Sequence, residues 1–174
     1  TVCQDKDIKI FGKKPVAVSS VTDLPEPDSE ELSRAKSCGQ KVAVCFVDAV
    51  RSNEEGENND YELLIQRRLL LSFTANICFE RFIKNPALSE KAHRSFLSYL
   101  KTNEKEIYDT AVDTGAFSFY YLAYRRHNEV ERRMGQTFAM LCSHDGDPIF
   151  QELGEAMYCW FSAEVKKIIS EEFE

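Results

Sequence analysis

Leu32, Ala35, Cys38, Val42, Cys45, Phe46, Ala49 and Val50 recur at three- and four-residue steps, drawing one apolar stripe along this part of the chain. A half-buried strand needs a period of two, so the stripe predicts an amphipathic helix from Ser29 onward. The run VAVCFV (42–47) would also suit a buried strand; the stripe on either side of it favours the helix. Gly39 costs that helix about 1 kcal/mol relative to alanine and is where it would break.

The same period returns along the rest of the chain. SNEEGENND (52–60) is a charged loop, and a second helix runs from about Tyr61 to Lys84. Its apolar line passes through Leu64, Arg68, Leu71, Ala75, Cys78 and Phe82, widened by Leu63, Leu70, Phe73 and Ile77. Asn85-Pro86 ends it, because proline pushes the preceding residue out of helical geometry. Ser89 is the expected N-cap of a third helix, with Phe96, Leu97 and Leu100 inward. Asn103 and Glu106 form the pattern of a capping box. A fourth helix follows through Ile107, Ala111, Val112 and the aromatic block AFSFYYLAY (116–124), so apolar all round that it should pack on several sides. Asn128 with Glu131 opens a fifth helix to about Ser143, and a sixth runs from near Asp147 to the end. The expected fold is therefore all-α, an antiparallel bundle or array of five to six helices forming a single domain over 29–174. Residues 1–28, with IKIF, VAVSSV and two prolines, read as an extended N-terminal arm or short hairpin.

Composition narrows the function classes. A net charge of -7 discourages a sequence-independent grip on nucleic acid, which needs a surplus of cations facing the phosphates. No apolar run approaches the ~18 residues of a membrane span. The first 25 residues lack the basic-then-apolar order of a signal peptide, and Thr1 as first residue points to a processed or trimmed chain. Six cysteines are scattered without a CxxC pair, so they read as reduced, mostly buried apolar residues of a cytoplasmic protein.

Three clusters carry chemistry. Cys142, His144, Asp145 and Asp147 crowd the stretch LCSHDGDPIF, but each has a structural task. Gly146 suits a left-handed position after helix five, Asp147 an N-cap and Pro148 the first helical position, while His144 suits the negative end of helix five. Cys142 and His144 are the metal candidates there. Glu90 and His93 form an ExxH on one helical face, a further metal candidate, though di-iron bundles use that motif twice and no second copy exists here. Arg125, Arg126, Arg132 and Arg133 bracket the junction of helices four and five and are the best place for an anionic ligand or a partner, with Glu129 and Glu131 interleaved. Gly115, Gly135 and Gly154 fall inside helices, where close helix approach would compensate them. No motif for a nucleophile, a phosphate loop or a nucleotide cofactor occurs, so no catalytic residue and no cofactor is assigned. The leading expectation is a helical domain that binds a protein partner or itself without catalysis. The alternative is a small-molecule- or metal-binding bundle, an enzyme among its forms, with a site between helices.

Overall fold

The computed structural model describes residues 24–54 and 60–174, so most of the expected N-terminal arm lies outside the described residues. Among the described residues there are seven helices and no strand: α1 (Ser29–Glu54), α2 (Tyr61–Phe82), α3 (Pro86–Asn103), α4 (Lys105–Ala111), α5 (Thr114–Arg125), α6 (Val130–Leu141) and α7 (Pro148–Phe173). VAVCFV is helical and Gly39 does not break α1.

Acidic and amide side chains start most of these helices. Asp28 Oδ1 accepts from the Glu31 N–H at 2.8 Å while Glu31 Oε2 accepts from the Asp28 N–H at 3.0 Å, a reciprocal capping box. Asp60 caps α2 and Asp147 caps α7 with Pro148 at its first position, as expected for the latter. Three expected starts move. Asn85, not Ser89, caps α3, with Pro86 at the first position and Ser89 buried a turn further in. The proline that ends one helix is equally suited to open the next. Asn103 forms no capping box; it ends α3 and donates to the Tyr99 carbonyl oxygen at 3.0 Å. Glu129, left-handed at φ 48°, stands before α6 where Asn128 was expected.

The expected fourth helix is two. Val112 and Asp113 are extended, and Asp113 accepts from the Ala116 N–H at 2.9 Å to start α5 afresh. That corner redirects the aromatic block, which packs with α6 against α2 and α7 in a second core.

Most helices adjacent in sequence pack on one another, α4 and α5 excepted, yet α1 and α3 lie side by side in the same direction. Ser95 donates to the Lys36 carbonyl oxygen near one end and Arg51 to Glu104 at the other. Gly39 permits this approach, since a Cβ there would lie 2.2 Å from the Ala92 carbonyl oxygen. The first core joins α1, α2, α3, α4 and α7 around Phe46, Phe79, Phe96 and Phe161. Phe46 meets Phe96 edge-on at 5.5 Å, a favourable aromatic geometry. The second core packs α5 and α6 on α2 and α7 around Leu70, Phe73, Tyr120, Met134 and Phe138. Helix α2 serves both: Leu71, Ala75 and Cys78 face the first, Leu70, Phe73 and Ile77 the second. This double burial accounts for the wide apolar face read in its sequence.

Candidate functional site

Stretch 142–148 is a turn built from the main chain outward. The Ser143 N–H donates to the Met140 carbonyl oxygen and the His144 N–H to that of Ala139, the two bonds of a Schellman ending. Ser143 takes the left-handed position at φ 61°, where the sequence suggested Gly146. Gly146, at φ 78°, instead occupies the third place of the next turn, closed by the Asp147 N–H on the His144 carbonyl oxygen. Cys142 is buried, and desolvation, with the Glu62 and Asp60 carboxylates nearby, pushes its thiol up to about 12. The His144 ring stacks on Phe150 at 3.9 Å, and its Nδ1 lies 3.8 Å from Asp147 Oδ2.

Glu90 and His93 do share a cleft between α2 and α3, of about 410 Å³, with Asn76 and Glu80. Glu90 pairs with Arg94 one turn on. His93 lies against Phe79 and Phe96, and burial lowers its pKa below the ordinary 6.5. Among the described residues no group of three or more histidine, cysteine, aspartate or glutamate side chains is arranged to hold a metal ion. The structure thus does not bring Cys142, His144, Glu90 and His93 together.

The four arginines do not form one cluster. Arg125 lies over the Tyr121 ring at 5.8 Å, and Arg132 is 3.7 Å from Glu129. Arg133 Nε donates to the Asn128 carbonyl oxygen at 2.8 Å. Arg126 and Arg133 flank a shallow groove of about 180 Å³ between α5 and α6, whose other walls include Phe119 and Leu122. This is what the sequence reading missed. The aromatic block packs on one side only: Tyr120 is fully buried, while Phe119, Tyr121 and Leu122 are 48%, 47% and 59% exposed. Phe119, Leu122 and Arg126 are three, four and seven apart, so they share one face of α5. Across the groove Arg133, Gln136 and Met140 share one face of α6, and Met140 is also exposed. The result is a mixed surface, with Phe119 and Leu122 beside the polar groups of Arg126, Arg133, Gln136 and Thr137.

No family model, curated protein or solved structure matches this chain. The function is therefore read from the surface itself.

A larger groove, about 680 Å³ and mainly apolar, runs between α1 and α7. Val44 and the single tryptophan, Trp160, form its rims, each close to half exposed, above Cys45 and Met157. No described helix is long and apolar enough to cross a membrane.

Proposed function

We propose that this protein is a self-associating helical domain, acting by assembly rather than by catalysis, in which two copies meet through the α5–α6 face. One observation carries this reading: Phe119 and Leu122 stand about half exposed on a helix that is buried through Ala116, Tyr120 and Ala123. Large apolar side chains grouped on one exposed face lower free energy when covered, by about 25 cal/mol for each Å² removed from water.

The occupant is a second copy because the face is complementary to itself. The N-cap carboxylate of Asp113 stands before α5, and Arg125 and Arg126 close it. Two such helices placed antiparallel set Phe119 against Leu122 of the second copy and bring Arg126 toward the other start, where Asp113 stands. A two-fold contact of this kind uses one patch twice. The helix dipoles run opposite ways in that arrangement, which is also favourable.

The chemically capable groups support a non-catalytic role in that they serve structure: Cys142 is a protonated core thiol and His144 an aromatic lid on Phe150. Free Cys38, Cys45, Cys78, Cys142 and Cys159 support a reducing compartment, the cytoplasm. The test is whether Leu122→Glu, a change at an exposed site, abolishes concentration-dependent association while leaving the helical content intact.

A further inference from the structure

We propose that the cleft between α1 and α3 is a binding site for a small phosphate-bearing molecule. The cleft encloses about 450 Å³ and is lined by Lys36, Lys91 and Arg94, with Gln40, Ser98 and Thr102 among its neutral polar groups. No carboxylate lines it. In a chain with 29 acidic against 22 basic residues, a random surface cleft would meet acids at least as often as bases.

The fold brings these cations together. Gly39 lets α1 settle onto the α3 main chain at Ala92, and Ser95 Oγ donates to the Lys36 carbonyl oxygen at 2.7 Å. The contact sets Lys36, one turn before Gly39, beside Lys91 and Arg94, which flank Ala92. Neither lysine has an ion-pair partner among the described residues. Arg94 pairs with Glu90 on its own helix, but both side chains are largely exposed, so that bond is weak and exchangeable. Two ammonium groups and a guanidinium fork are the donors that phosphate oxygens take best, and neutral hydroxyl and amide groups add hydrogen bonds without repelling the anion. The space exceeds what one phosphate fills, which points to a phosphorylated small molecule.

Titration calorimetry of the full chain with inorganic pyrophosphate at low ionic strength tests the site. The expected result is saturable 1:1 binding, weakened about fivefold or more by Lys36→Gln and by Lys91→Gln, and less than about twofold by Lys167→Gln on α7 outside the cleft. Each variant removes one positive charge, so the comparison separates the cleft from net charge. Failure of pyrophosphate to saturate the wild-type protein would overturn the proposal. So would a loss in Lys167→Gln as large as in the cleft variants. Binding to phosphatidic acid vesicles without binding to pyrophosphate would overturn it as well, assigning the cations to a lipid surface.

Discussion

The buried guanidinium of Arg68 donates twice to Glu54 Oε1, from Nη2 at 2.6 Å and from Nε at 3.2 Å. A third donation, from Nη1 to Thr110 Oγ1 at 2.8 Å, ties α4 to the same group. Arg68 thereby links the end of α1, the first half of α2 and α4, which explains a charged residue in an apolar line. Glu54→Ala leaves the guanidinium buried without its anion. We expect a loss of about 1–3 kcal/mol in urea unfolding, the upper range for buried pairs being discounted because Glu54 is partly exposed. Stability equal to wild type would show that the pair contributes nothing net.

Gly135 sits against the main chain of α7. A Cβ there would lie 2.2 Å from the Gln151 carbonyl oxygen and 3.1 Å from the Glu155 nitrogen, and backbone has little freedom to retreat. Gly135→Ala, like Gly39→Ala against Ala92, should cost about 2–3 kcal/mol despite the gain in helix propensity. Thermal denaturation of the two variants checks this; a raised midpoint in either would mean that the helices are not in close contact there.

Burial holds the thiols of Cys38, Cys78 and Cys142 up to about 12, so at neutral pH they are protonated as well as covered. Cys159 is exposed. Because the thiolate is the nucleophile, brief alkylation of the native protein should mark Cys159 and spare those three, and all four should react in denaturant. Peptide mapping by mass spectrometry reads the order. Native labelling of Cys78 as fast as Cys159 would contradict the packing of α2 against α7.

His93 has its pKa lowered by burial, so the unfolded chain binds that proton more readily than the folded one. Between the folded value and the ordinary 6.5 the unfolded state carries more protons, and stability therefore rises with pH across that window. Above it the contribution is constant. His93→Phe should flatten this part of the profile in urea unfolding from pH 5 to 8, and an unchanged slope would place the titration elsewhere.

Much of the fold was legible because burial follows periodicity. The stripe of α1 and the wide apolar face of α2 could be read directly, though not that α2 serves two cores, and even Arg68 fell on the inward line. Helix starts were less legible, since Pro86 and Asn85 mark an end and a beginning with the same residues. The break at Val112–Asp113 was hidden by apolar residues on both sides of it. The candidate surface was half legible. Arg126 and Arg133 were named from charge alone, but an all-apolar helix such as α5 reads as buried from any single sequence. Only the packing of its Tyr120 side on α2 shows that Phe119 and Leu122 face outward. The parallel contact of α1 with α3, which assembles Lys36, Lys91 and Arg94, joins residues about 55 apart and leaves no local signal.

Self-association through α5 and α6 is tested most directly by sedimentation velocity over a concentration series of the wild-type protein and of Leu122→Glu. The account predicts a wild-type weight-average that climbs from monomer toward dimer with concentration. It predicts a variant that stays monomeric with unchanged circular dichroism. A wild-type protein that remains monomeric throughout, or a dimer that Leu122→Glu leaves intact, would contradict it.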